Sequence, residues 1–240
     1  QARFERRAGG GLFLLQSFTW SKALDNVAQA LETPNGNSSN PQNIRDLRPE
    51  KGPAAYDQTL TSVTSAVWQI PVGKGRKIGS QMSALANAVV GGWELSAINN
   101  MWSGQPITLR YSASSQFNVG GVSLRPNLLG PALAPAGVRT IDNYFNRDNV
   151  VVPTDRSKPF GNAGRNTERS HALYQMDLGI HKDFALPRER MKLQFRGELF
   201  NALNKTNFFP ATGDRSSSGF GTIRSTFQPR EAQMALKLYW

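Results

Sequence analysis

At 240 residues, with a formal charge of +11 and a pI near 10.3, the chain has room for one large β domain or two smaller ones. Its 28 Lys and Arg are spread singly over loops and strands, which argues against a nucleic-acid groove and fits anionic headgroups or a polar channel. The absence of cysteine excludes disulfides, thiolate metal sites and cysteine nucleophiles, and no apolar run approaches the roughly 18 residues of a transmembrane helix.

Residues 1–11 (QARFERRAGGG) read as a polar lead into a strand rather than as the start of a domain, which suggests a fragment. Six segments then carry the two-residue period of a β-strand. Over 11–22, Leu12, Leu14, Phe18 and Trp20 oppose Ser17, Thr19 and Ser21. Over 57–71, Leu60, Ala66, Trp68 and Ile70 oppose Thr59, Thr61, Ser65 and Gln69. The third, 93–111, sets Trp93, Leu95, Ala97 and Met101 against Glu94, Ser96 and Asn100. The fourth, 172–184, sets Tyr174, Met176, Leu178 and Ile180 against Gln175, Asp177, His181 and Asp183. In the fifth, 190–203, Met191, Leu193, Phe195 and Leu199 oppose Lys192, Gln194, Arg196 and Glu198. The sixth, 230–240, ends the sequence on an aromatic, with Met234, Leu236, Leu238 and Trp240 opposite Gln233, Lys237 and Tyr239.

Taken alone, the sixth segment suits a soluble sandwich as well as a membrane barrel. The connections distinguish the two. They run long (25–55), short (72–92, with one possible helical turn), long (112–171), tight (186–189) and long (205–229). Structureless loops of this length are unusual inside a compact soluble domain. In an outer-membrane barrel, short turns face the periplasm and long loops face outside. If the last strand ends in the periplasm, both short connections fall on that side and all three long loops fall outside. Trp68, Trp93 and Trp240 then form a periplasmic aromatic girdle, and Leu193, Phe195, Leu199, Leu236 and Leu238 face lipid.

Several stretches, in order along the chain, resemble the C-terminal barrel of TonB-dependent receptors of the Oar-like group, which carry a carboxypeptidase-regulatory-like domain. They are Phe18-Thr-Trp-Ser-Lys-Ala-Leu-Asp25, Trp68-Gln-Ile-Pro-Val-Gly-Lys-Gly75 and Val89-Val-Gly-Gly-Trp-Glu-Leu-Ser96. Further on come Trp102-Ser-Gly-Gln-Pro106, Phe160-Gly-Asn-Ala-Gly-Arg-Asn166 and Leu193-Gln-Phe-Arg-Gly-Glu-Leu-Phe-Asn-Ala-Leu-Asn204. The resemblance implies an all-β, antiparallel transmembrane barrel of about twenty-two strands around a plug domain. The six strands here would be its C-terminal part, with no plug present. It implies energised uptake of an oligosaccharide, peptide or metal chelate across the bacterial outer membrane. The partners implied are membrane lipid and lipopolysaccharide, upstream strands and plug of the same protein, the TonB complex through an N-terminal part, and the barrel-assembly machinery. Leu236, Leu238 and Trp240 would form the signal read by that machinery. The alternative is a surface adhesion or structural protein without transport; a third reading is a soluble basic β protein that binds polyanions.

No catalytic, cofactor or metal site is expected. The Gly161-Asn-Ala-Gly164-Arg165 stretch lacks phosphate-loop spacing and reads as a turn. No Gly-x-Ser-x-Gly elbow accompanies the two histidines. Asp177, His181 and Asp183 share a strand face but spread over about 20 Å, too far to converge on one ion. Lys192, Gln194, Arg196, Glu198, Asp177 and His181 are therefore expected to line the lumen. In the longest loop, Tyr144, Phe145, Arg147 and Asp148 place aromatics beside charges and are the expected ligand contacts.

Overall fold

The computed structural model describes residues 1–26, 41–112, 124–155, 157–186 and 191–240. Seven antiparallel strands form one sheet, each beside its neighbour in sequence: β1 (Ala2–Ala8), β2 (Leu12–Trp20), β3 (Leu60–Gln69), β4 (Trp93–Trp102), β5 (Leu173–Ala185), β6 (Lys192–Phe200) and β7 (Glu231–Tyr239). A short α-helix, α1 (Ala84–Val90), lies between β3 and β4. No helix among the described residues is long and apolar enough to cross a membrane.

β1 corrects one expectation. The polar lead is a strand, and Gly9-Gly10-Gly11 is its hairpin turn, with the Gly11 N–H donating to the Ala8 carbonyl at 3.2 Å. Gly11 has φ +80°, and a Cβ there would stand 2.9 Å from the Gln69 carbonyl, so a side chain would meet both strain and β3. The alternation of β1 is hard to read because Arg6 shares a face with Phe4, where an apolar residue would mark the strand.

The registers place Phe4, Leu14, Ala66, Leu95, Ile180, Phe195 and Leu236 on one face, and Glu5, Ser65, Ser96, His181, Arg196 and Lys237 on the other. Trp68 and Trp93 join the apolar face near the short-turn end. Every strand from β2 to β7 has at least nine residues, enough for a tilted crossing of a hydrocarbon layer.

The buried apolar core lies elsewhere. Every buried apolar residue among those described belongs to a connection, and none belongs to the seven strands. Residues 103–112, 124–155, 157–172 and 201–230, with 21–26 and 41–59, pack into a lobe at the long-loop end. The strand expected over 93–111 stops as β4 at Trp102, because Pro106–Ile107 turns away to pair with Glu168–Arg169 inside this lobe. Asp57, expected at the start of a strand, is buried in the lobe instead. Pro187, Arg188 and Glu189 of the expected tight turn lie outside the described residues.

Candidate functional site

Two regions hold the polar and aromatic residues singled out from the sequence: the polar face of the sheet and the loop lobe. On the polar face, the β5–β6 register sets His181 opposite Arg196 and Asp183 opposite Gln194. Lys192 Nζ stands 2.8 Å from the Asp183 carboxylate, which also accepts from Gln194 Nε2 at 2.8 Å. Gln194 Oε1 in turn accepts from Arg196 Nε at 2.6 Å and from the Tyr239 hydroxyl at 3.3 Å. Gln233 donates across the β6–β7 pair to Glu198. His181 Nδ1 lies 3.7 Å from Glu94. Asp177 accepts from the Asn201 backbone N–H at 2.8 Å and fixes the first turn beyond β6.

Asp177, His181 and Asp183 thus take separate partners. The Lys192–Asp183 pair is almost half exposed on both sides, so solvent screens it and it contributes little to stability. Along the wall it presents a ladder of alternating donors and acceptors to water or a polar solute.

In the lobe, Ile107, Leu109, Tyr144, Phe145, Val150, Phe220 and Ile223 form one apolar cluster. Tyr144 and Phe145 are both about fully buried, at 2% and 1% exposed. Their rings meet edge-on at 5.2 Å, Phe145 stacks on Phe220 at 5.6 Å, and the Tyr144 hydroxyl donates to the Arg169 carbonyl at 2.7 Å. This corrects the expectation that the pair contacts ligand. Two large rings beside charges in a long loop resemble a binding site in sequence, but here their area is spent holding three connections together. Arg147 and Asp148 stay at the surface, with the Arg147 guanidinium 5.4 Å from the centre of the Phe220 ring.

Charged clasps join the lobe, and these were not foreseen from the sequence. Arg125 forks onto Glu50 with bonds of 2.8 and 2.9 Å, and both side chains are 4% exposed. Arg165 donates to the Glu50 carbonyl at 2.8 Å and pairs with Asp25. Arg169 pairs with Asp57, whose carboxylate also accepts from the Ala23 N–H at 2.6 Å. Burial pushes the Asp57 carboxyl up, but the Ala23 N–H and the Arg169 guanidinium outweigh it and hold the group below the usual range. Asn166, fully buried with φ 57°, donates to the Pro53 carbonyl and bonds Thr108 in both directions.

The Gly161–Asn166 stretch is therefore a structural latch. A Cβ on Gly161 would stand 2.3 Å from the Arg125 and Pro126 carbonyl oxygens, so the chains touch backbone to backbone. The surface of the lobe offers a cavity of about 270 Å³ lined by Thr108, Arg110, Phe209, Pro210, Thr212 and Asp214. Arg110 and Asp214 stand 3.6 Å apart at its wall. An open cleft with a guanidinium, a carboxylate and one aromatic edge can hold a small polar molecule.

A family model described as an outer membrane beta barrel domain matches residues 1–233. No curated protein and no solved structure matches the chain.

Proposed function

The chain belongs to the outer membrane β-barrel domain family and sits in the bacterial outer membrane, and from that premise we propose that it is the C-terminal wall of a TonB-dependent receptor. The sorting of the connections carries this reading. The described parts of the three long connections gather in one packed lobe beyond Trp20, Trp102 and Phe200, and the short connections leave the strands at the opposite end. A wall that is apolar on one side and ion-paired on the other suits lipid outside and a wetted lumen inside. Lys192, Gln194, Arg196, Glu198, Asp177 and His181 would then face the lumen.

β1 and β7 are the two edges of the sheet and do not pair with each other. Unpaired backbone groups in hydrocarbon cost several kcal/mol each, so both edges need partner strands in the membrane. We read those partners as the remaining strands of a larger barrel of the Oar-like receptor type. A plug in its lumen would meet the Lys192–Gln194–Arg196 ladder. The lobe cleft at Arg110 and Asp214 is the proposed outer contact for ligand.

Arg196→Cys in the intact protein tests energised transport. With a plug moved by an energised inner membrane, a membrane-impermeant maleimide labels the cysteine in respiring cells and fails after a protonophore is added. Labelling regardless of the protonophore would indicate an open pore and sink the reading. No labelling in either state would favour a static surface protein.

A further inference from the structure

Lys182 is 3% exposed and is the only buried residue in the seven strands, although it stands on the apolar face between Trp93 and Phe195. Its ammonium donates to the carbonyls of Val89 at 3.1 Å and Gly91 at 2.6 Å, with the Asn87 carbonyl at 3.5 Å. These carbonyls end α1, where a helix leaves acceptors unpaired and carries partial negative charge. The same ammonium lies 5.0 Å from the centre of the Trp93 ring and 5.1 Å from that of Phe184. Trp93 Nε1 donates to the Val89 carbonyl at 2.9 Å. α1 is thus fastened by its C-terminal end to the apolar face, level with the tryptophan row at the short-turn end.

Nothing on α1 is buried. Leu85 is 84% exposed, Val89 70% and Val90 about half, whereas the lone polar residue, Asn87, points inward and accepts the Lys74 N–H at 2.7 Å. Seven residues of Ala, Leu, Val and Asn are far below the length that holds a helix in water, so this one needs its clamp and an apolar phase. The turn tied to it by Asn87 exposes Lys74, Arg76 and Lys77 beside the apolar side chains. Apolar side chains with a basic rim, on the lipid side of a membrane wall, match an anionic bilayer interface.

We propose that α1 and the basic turn at Lys74–Lys77 form an interfacial anchor for anionic phospholipid of the periplasmic leaflet. Leu85 and Val89 enter below the headgroups, and Lys74, Arg76 and Lys77 meet phosphates. Lys182 is the positioning residue, its three N–H groups spent on the carbonyls that end the helix. This rests on the reading of the sheet as a membrane wall with its short turns in the periplasm.

The test uses the intact protein with a single cysteine, Leu85→Cys, carrying an environment-sensitive fluorophore. It is reconstituted into vesicles of phosphatidylcholine alone or mixed with phosphatidylglycerol, each with or without lipids brominated near the headgroup end of the acyl chains. Leu236→Cys and Leu129→Cys serve as wall and lobe controls. The expected result is blue-shifted emission and bromine quenching at Leu85, stronger with phosphatidylglycerol. Lys74→Gln, Arg76→Gln and Lys77→Gln together should reduce that quenching to the phosphatidylcholine level. A Leu85 probe that behaves like the Leu129 probe, while Leu236 stays quenched, overturns the anchor alone. Equal quenching in both lipids, unmoved by the triple substitution, overturns its preference for anionic lipid. Loss of quenching at Leu85 and Leu236 together overturns the membrane wall itself.

Discussion

Leu236 stands in the middle of β7, paired with Phe195 and 66% exposed on the apolar face. In water such a row of leucines would be a liability; in hydrocarbon it is the wall's outer surface. Depth then grades the cost of charge. Leu236→Arg should lower folding stability in vesicles by about 2–4 kcal/mol, and Leu193→Arg, nearer the short-turn end, by about 0–1 kcal/mol. Lys192→Ala removes a half-exposed, solvent-screened ion pair and should be nearly silent. Guanidinium unfolding of the three variants checks this ordering, and a Lys192→Ala cost equal to that of Leu236→Arg would mean the two faces are exchanged. Arg125 and Glu50 follow the opposite rule. They are buried and mutually satisfied, so removing either would leave an uncompensated charge in the lobe.

Among the connecting elements, His171 links the lobe to β5, its ring 4.8 Å from Tyr144 and 5.6 Å from Phe208. Burial first, and then the Arg139 charge, hold its pKa below the ordinary 6.5. The unfolded segment therefore takes up a proton near pH 6.5 that the folded lobe refuses, and stability falls as pH drops below that value. Asp57 acts in the same direction lower down. Its depressed carboxyl contributes stability above pH 3.8 that is lost as pH falls through its folded pKa. Glu168, raised by burial, opposes both: its contribution is greatest below pH 4.5 and is lost as pH rises through its folded value. Hydrogen exchange of lobe peptides, corrected for the intrinsic rate, should show protection falling from about pH 7 to about pH 5.5. His171→Phe should remove that loss. An unchanged loss in the variant would place the proton elsewhere.

For the whole molecule, the wall and the lobe are stabilised by different solvents. The lobe buries its own apolar core against water, whereas the strands bury no apolar side chain and depend on lipid. Trp240 follows the last ladder residue and is 88% exposed, so it adds little to the folded sheet. As the end of the proposed assembly signal with Leu236 and Leu238, it should matter to rate instead. Deleting it should slow the appearance of heat-modifiable, folded protein in a pulse-chase while leaving the unfolding midpoint nearly unchanged. An unaltered assembly rate would remove the signal role.

The faces of β2 to β7 and the sorting of long and short connections could be read from residue order, because a strand in a single-layer wall exposes its period of two directly. Leu193 beside Lys192 states its side without reference to anything distant. β1 was hidden because Arg6 interrupts that period. The lobe was hidden for a deeper reason. Glu50 meets Arg125, Asp25 meets Arg165 and Tyr144 meets Phe220's layer across separations that no local pattern records. Whether an aromatic in a long loop is a ligand contact or a core residue depends on what folds back over it, and that is a property of the packed chain. Lys182 is the same case on the wall: its row in the sheet follows from alternation, and its burial follows only from the helix that α1 lays across it.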